Sequence, residues 1–367
     1  MPSAAWHRLR TTGATRSAEH NVAIIGYGLA GRFFHGPLVA ATRGLRVAAI
    51  ITSDPVRRQQ ARADHPGAEL LTDVEDLWRR SDRFDVVVIA TANDVHALLA
   101  TQALDHGLAV VVDKPLAVSS LQAQELVAHA QQLGGMLTVF QNRRWDFDQL
   151  TLARLLADGR LGTVLRYESR FERWRPEPGP GSWRESSLPE QGGGVLLDLG
   201  AHLVDQAVGH FGPVDLVYAE ISHRRGTPGD DDAFMALTHR SGVISHLHAS
   251  ALAAAPGPRL RVLGSQAALI VDALDSQEDR LRAGERPDSS ADWGVEPSRA
   301  RVRLVTGPKS VPLTPERGSW QAFYAGLKAA LDGDGPLPVD ARDAIRNLQL
   351  IEAARLSAVE HRVVELV

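Results

Sequence analysis

The chain has 367 residues, 44% of them apolar and 23% charged, with a formal net charge of −4 and no cysteine. That balance describes a globular protein long enough for two domains. It excludes disulfides, zinc–thiolate sites and thiol nucleophiles, and it offers no general attraction to nucleic-acid phosphates or anionic lipid. No run of roughly 18 apolar residues is present, so no membrane span is expected. The lack of cysteine fits a reducing, cytoplasmic setting. Residues 1–20 have no apolar segment of the kind a secretory signal carries and read as a disordered leader.

From Asn21 onward, apolar runs at 22–25, 47–51, 86–90, 109–112 and 136–140 lack polar alternation, as strands covered on both faces do. Helical stretches lie between them. Ser53 or Asp54 before Pro55 suits a helix start, 98–104 leads to Gly107, and Ser119-x-x-Gln122 opens a helix that stops at Gly134-Gly135. This alternation predicts an N-terminal Rossmann domain, a doubly wound parallel sheet, over 21–141.

The remaining residues, 142–367, follow a different pattern. A helix is predicted at 151–158 and a strand at 164–171, followed by a Pro- and Gly-rich loop at 175–194 and a helix at 196–209. Strands follow at 215–221, 233–238, 243–250, 259–263 and 267–271. The charged stretch 275–300 reads as loop, and helices at 319–331 and 340–359 close the chain. His246 and His248 alternate with Leu247 and Ala249, which gives one wet face and one buried face. Strands joined by turns predict a C-terminal α+β domain with a large, mainly antiparallel sheet for substrate binding and oligomerisation. The terminal helices are expected to pack back on the first domain. An uncovered sheet face would make the protein a homodimer or homotetramer.

Five segments carry chemistry. Gly26-Tyr27-Gly28-Leu29-Ala30-Gly31 follows the first strand. Gly26 allows the tight turn, Gly28 the approach of a pyrophosphate, and Gly31 close helix–strand packing. The slot for the adenosine ribose, at the end of the second strand, holds Thr52 and Ser53 with Arg57 nearby. Asp54 there is either a helix cap or a partner for a free 2′-hydroxyl, so the cofactor reads as NADP, with NAD the alternative.

At the end of the third run stand Ala90, Thr91, Asn93, Asp94 and His96, on the sheet edge where ligands bind. Asn93 or Asp94 is a natural helix cap, and His96 faces either cofactor or solvent. Asp113-Lys114-Pro115 ends the fourth run and holds a lysine in one place at that same edge, which suits acid–base work.

Last comes Gly192-Gly193-Gly194, with Asp198, His202 and Asp205 beyond it. The glycines would let backbone pass close to a ligand, and Asp198 and His202 share one helix face. The segment alone favours a satisfied His–Asp pair. Proton transfer by His202 is a second reading and a metal site with Asp205 a third; no metal is expected.

GYGLAG, DKP and GGG…DLGAHLVDQ, in this order and spacing, resemble the Gfo/Idh/MocA oxidoreductases from about residue 21 to the C-terminus. The strings FHGPL, FQNRRWD and SWRE are most similar to the branch of NADP-dependent scyllo-inositol dehydrogenases. The resemblance implies hydride transfer between nicotinamide and a hydroxyl or ketone of a sugar or polyol. It makes Lys114, Asp198 and His202 catalytic, and sets Pro115, Asn142 and Arg143 beside the cofactor. Arg143, Trp145, Asp146, Trp183 and Arg184 would line or close the substrate pocket. Asp113 replaces the family's usual glutamate, and Ala92 a common proline. Two alternatives stand beside this reading: a dinucleotide-binding sensor without catalysis, and a reductase of a non-sugar carbonyl or dihydrodiol with a pocket lined by Trp145, Trp174 and Trp183.

Overall fold

Two sheets organise the chain. The computed structural model describes residues 19–179, 183–296 and 302–366. Most of the expected leader therefore lies outside the described residues, and His20 already belongs to the first strand.

The first sheet contains β1 (His20–Ile25), β2 (Leu45–Ile51), β3 (Glu69–Leu71), β4 (Val86–Ile89), β5 (Ala109–Asp113) and β6 (Leu137–Phe140). All pairs are parallel, in the order β3-β2-β1-β4-β5-β6. β4 and β5 are buried along their whole length, which explains their unbroken apolar runs. The chain reverses its winding between β1 and β4, and this switch point opens a crevice at the carboxyl ends of the strands. The expected caps hold: the Asp54 carboxylate accepts from the Val56 and Arg57 N–H groups, Ser119 Oγ accepts from the Gln122 N–H, and Gly134 ends its helix at φ +65°.

The second sheet contains β7 (Val164–Glu172), β8 (Val214–Ser222), β9 (Asp232–His239), β10 (Ile244–Ser250), β11 (Leu260–Gly264), β12 (Ala268–Val271), β13 (Arg303–Thr306), β14 (Lys309–Pro312) and β15 (Val364–Glu365). Its order is β14-β13-β12-β11-β7-β10-β9-β8-β15. Only β7 and β10 run parallel, so the sheet is mainly antiparallel.

The helix Ala341–Glu360 lies between the two sheets. Glu352 accepts from the Ser120 N–H and hydroxyl at 2.6 Å each, while Ser357 Oγ accepts from the Ala219 N–H at 3.0 Å. The helix Gln321–Asp332 also packs back on the first sheet's layer, where the Tyr324 hydroxyl meets His35 Nδ1 at 2.7 Å. Among the described residues no helix is long and apolar enough to cross a membrane.

Three segments differ from the sequence expectation. Residues 275–300 contain a helix, Gln277–Arg282, whose acidic start and basic end suit the helix dipole. The helix expected at 196–209 begins with a π turn, Leu196–Gly200, before continuing as Ala201–Phe211. Within the long loop, Trp183–Ser186 and Pro189–Gln191 form short helical turns.

Candidate active site

The glycine loop performs three separate jobs. Gly26 sits at φ +93°, and a Cβ there would stand 2.4 Å from the Ala90 carbonyl oxygen. A Cβ on Gly31 would stand 2.1 Å from the Gly26 carbonyl oxygen, so helix and strand can pack only without one. In front of Gly28 the nearest atoms belong to the Arg57 guanidinium, at 3.8 Å. The space over Gly28 is therefore open, as a pyrophosphate lying against the backbone requires.

That space continues as a cleft of about 550 Å³ at the β1/β4 switch point. Gly26, Gly28, Leu29 and Ala30 form one wall, Thr52, Ser53 and Arg57 a second, and Ala90, Thr91 and Asp113 a third. Two backbone N–H groups engage Asp54 Oδ1, at 2.8 and 3.1 Å, so Asp54 caps its helix, while Ser53 and Arg57 line the cleft. The residues present fit a dinucleotide.

Five of the expected cofactor contacts turn elsewhere. Tyr27 is buried, and its hydroxyl donates to Asp64. Gly31 serves packing, as above. Asn93 caps no helix; its Nδ2 donates to the Gly192 carbonyl at 2.9 Å and so ties the two halves together. His96 faces neither solvent nor cleft, being buried with Nδ1 at 2.8 Å from the Pro115 carbonyl. Burial lowers its pKa, so it is a neutral prop behind the Lys114–Pro115 loop. Pro115 itself is buried; its peptide bond with Lys114 is cis.

A second cleft, about 260 Å³, shares Leu29, Ala30 and Asp113 with the first. Lys114, Asn142, Arg143, Asp198 and His202 all line it. Lys114 Nζ donates to Asp198 Oδ1 at 2.8 Å and to the Asp198 carbonyl at 2.6 Å. Asp198 sits in the π turn, a helix irregularity that recurs at functional sites. His202 is buried and packs edge-on against Phe171, and its Nδ1 has no hydrogen-bond partner among the described residues. Burial, reinforced by Lys114 and Arg143, holds its pKa well below the ordinary imidazole value. A neutral imidazole on the cleft wall, beside a lysine and a carboxylate, can exchange a proton with a ligand hydroxyl.

Other expected members act from behind the cleft. Asp146 is fully buried, accepting from the Trp320 indole at 2.7 Å and from Arg143 at 3.2 Å, so it positions Arg143 and does not face a substrate. Trp145 packs against Phe323 outside the cleft. Asp205 pairs with Arg144 and Asn347. Among the described residues no group of three or more His, Asp or Glu is placed to hold a metal. The glycine run approaches protein atoms instead of a ligand: Cβ atoms on Gly192, Gly193 and Gly194 would stand 2.6, 2.0 and 2.2 Å from Asn93, Ser187 and Asp230. The side chains of Trp183 and Arg184 lie outside the described residues.

Sequence reasoning missed Phe34, Arg173, Arg175, Glu278 and Arg282 in the cleft wall. Phe171, Arg173 and Arg175 recur every second residue, a strand-like signal continuing past the end of β7. Glu278 and Arg282 lie four apart, the spacing of a helical ion pair.

Family models match both halves. Residues 20–141 match the oxidoreductase family, NAD-binding Rossmann fold, and residues 149–270 the GFO/IDH/MocA C-terminal domain. The chain is 40% identical over 344 residues to the uncharacterized oxidoreductase YdgJ of Escherichia coli, covering 93% of this chain and 96% of that protein. It is 30% identical over 349 residues to the scyllo-inositol 2-dehydrogenase (NADP(+)) IolW of Bacillus subtilis, covering 94% and 95%. Among solved structures, yvaA of Bacillus subtilis superposes with a TM-score of 0.89 at 30% identity, over 96% of this chain and 100% of the other. With both halves matched in order and relatives aligned along nearly the whole length, the chain belongs to the Gfo/Idh/MocA family and is an NAD(P)-binding oxidoreductase.

Proposed function

We propose that the protein moves a hydride between a nicotinamide and a secondary hydroxyl or ketone of a sugar or inositol-like polyol, with NADP preferred over NAD. One observation carries this reading. Lys114, Asp198 and His202 converge in a polar cleft that shares a wall with the dinucleotide cleft.

The dinucleotide, when bound, supplies the two-electron acceptor or donor. The protein handles the proton and the oxygen charge. In the oxidative direction the neutral His202 imidazole, which lines the cleft, takes the hydroxyl proton, while the Lys114 ammonium donates a hydrogen bond to the oxygen as charge develops there. The carbinol hydrogen leaves with its electron pair as hydride, and the carbonyl product forms. Reduction reverses each step, with protonated His202 returning the proton. Asp198 keeps the lysine aimed before substrate arrives.

Ser53 and Arg57 at the ribose slot, with Asp54 committed to its helix, favour a 2′-phosphate, and the relative IolW carries NADP(+) in its name. D-apiose dehydrogenase of Paraburkholderia graminis, 30% identical over 336 residues, adds a sugar substrate among the relatives. An apolar substrate is disfavoured, because Trp145 and Trp174 stand outside a cleft walled by charged groups. The second sheet offers β9 and β10, where partly exposed Phe234, His246 and His248 cluster, as the face a second copy would cover.

Incubation with NADP and a panel of inositols and aldoses, read by nicotinamide absorbance, tests the assignment. Tight dinucleotide binding with no turnover of any polyol or ketose would favour the sensor reading instead.

A further inference from the structure

The substrate cleft carries more positive charge than proton transfer requires. Among the described residues that line it, Lys114, Arg143, Arg173, Arg175 and Arg282 face Asp113, Asp198 and Glu278. Asp198 engages Lys114 at 2.8 Å, and Glu278 engages Arg143 at 2.9 Å and Arg282 at 3.3 Å. Asp113 Oδ1 accepts from the Lys114 main-chain N–H at 2.9 Å. Arg173 and Arg175 remain. Among the described residues no carboxylate lies within ion-pair reach of either guanidinium, and neither guanidinium donates a hydrogen bond.

Both are firmly planted. The Arg173 N–H donates to the Ser250 carbonyl at 2.8 Å, the Arg175 N–H to the Ala251 carbonyl at 2.7 Å, and the Ala253 N–H returns to the Arg173 carbonyl at 3.0 Å. The chain beyond β7 is thus tied to the segment following β10, and the two side chains stand where the cleft meets a further recess of about 80 Å³. The recess also contains Arg225, already paired with Glu185 at 3.0 Å. Burial lowers the Arg173 pKa; Glu278 and Asp198 pull it back up from beyond ion-pair distance, and Arg143 and Arg175 push it down. A half-buried, unpaired guanidinium between two others is costly unless an anion completes it.

We propose that the substrate is a polyhydroxy compound bearing an oxyanion, a carboxylate or a phosphate monoester, gripped by Arg173 and Arg175 while its reacting hydroxyl lies at Lys114 and His202. The fork of a guanidinium matches either oxyanion, and a cluster of like charge in a walled cleft concentrates anions. This inference rests on the oxidoreductase reading for the position of the reacting carbon, but the anion grip can be measured without turnover.

The test titrates NADPH-loaded protein calorimetrically with three sets of probes: sugar acids of several configurations with the matching neutral alditols, sugar phosphates, and inorganic phosphate. At least one acid or phosphate should bind about tenfold or more tighter than its neutral partner, and added salt should weaken it. In Arg173→Gln and Arg175→Gln that preference should drop about tenfold, with Arg173→Lys recovering part of it, while NADPH affinity, read by fluorescence, stays within twofold. The sugar-acid and sugar-phosphate arms tell the two oxyanions apart. Equal binding of acids and alditols, or no binding of any anion including inorganic phosphate, overturns the proposal. So does a loss that falls on NADPH, which would make these arginines cofactor ligands. Anion binding without turnover of any probe would leave the grip standing and count against hydride transfer; turnover of neutral polyols alone would do the reverse.

Discussion

Lys114 and Asp198 reach each other across the cleft, the lysine Nζ bonding both the carboxylate and the main-chain carbonyl of one residue. Two bonds to a single partner fix the ammonium in direction as well as position. Asp198→Ala removes one bond and leaves the other, so Lys114 gains freedom while keeping its place. We expect kcat to fall about tenfold to a hundredfold, the scale of a misaimed catalytic group, with NADPH affinity unchanged. Steady-state kinetics beside a fluorescence titration decide the matter. An unaltered kcat would reduce the contact to a structural clamp.

His202 should set the acid limb of the pH profile. Burial first, then Lys114 and Arg143, favour its neutral form. The base therefore stays unprotonated as pH falls through about 6.5, the ordinary imidazole value, and oxidative kcat/KM should hold between pH 7.5 and 6. Lys114→Met and His202→Ala should each lower turnover about a hundredfold or more. The residual activity of Lys114→Met carries a second signal. Losing a neighbouring cation raises the His202 pKa, so the acid limb should move to higher pH. A limb that stays put would mean another group titrates.

Cofactor choice turns on a small area. Ser53→Asp places a carboxylate at the ribose slot beside Arg57, where it repels a 2′-phosphate and accepts from a free 2′-hydroxyl. The ratio of kcat/KM for NADP over NAD should drop about tenfold or more, an amount a single charged contact can supply. A constant ratio would place the 2′ position elsewhere in the cleft.

The parallel sheet was legible because its strands are buried on both faces, and burial writes itself as unbroken apolar runs such as Val86–Ile89. β3 was not, since three residues are too few to show any period. The β13–β14 hairpin was missed because β14 is exposed throughout and carries no apolar face. Within the site, Lys114 announced itself through its place between a buried strand and a proline, whereas His202 read alone as a satisfied partner of Asp198 and drew its role from the resemblance. Arg173 and Glu278 gave no such signal, because their roles depend on a cleft assembled from distant segments. Asp146 and His96 misled for the opposite reason: polar residues beside a motif read as ligand contacts, yet buried sites also need polar groups as internal props.

Asp146 offers a sharp test of that supporting role. Its carboxyl holds the Trp320 indole and Arg143, which in turn lies 4.9 Å over the Phe171 ring and 5.5 Å over Trp320. Burial pushes the carboxyl up to about 6, with Arg143 pulling the other way. Because the folded-state pKa lies above the unfolded one, the stability this group adds is complete at low pH and is lost as pH rises through about 6. Asp146→Asn keeps the shape without the charge. Wild type should therefore lose ground to Asp146→Asn in chemical denaturation between pH 4 and 7. Asp146→Ala strands both partners and should cost about 3–5 kcal/mol, as breaking a buried pair does, with KM for substrate rising as Arg143 moves. If wild type instead gains on Asp146→Asn with rising pH, the attraction of Arg143 outweighs the burial of the carboxylate, and the direction argued for Asp146 is wrong.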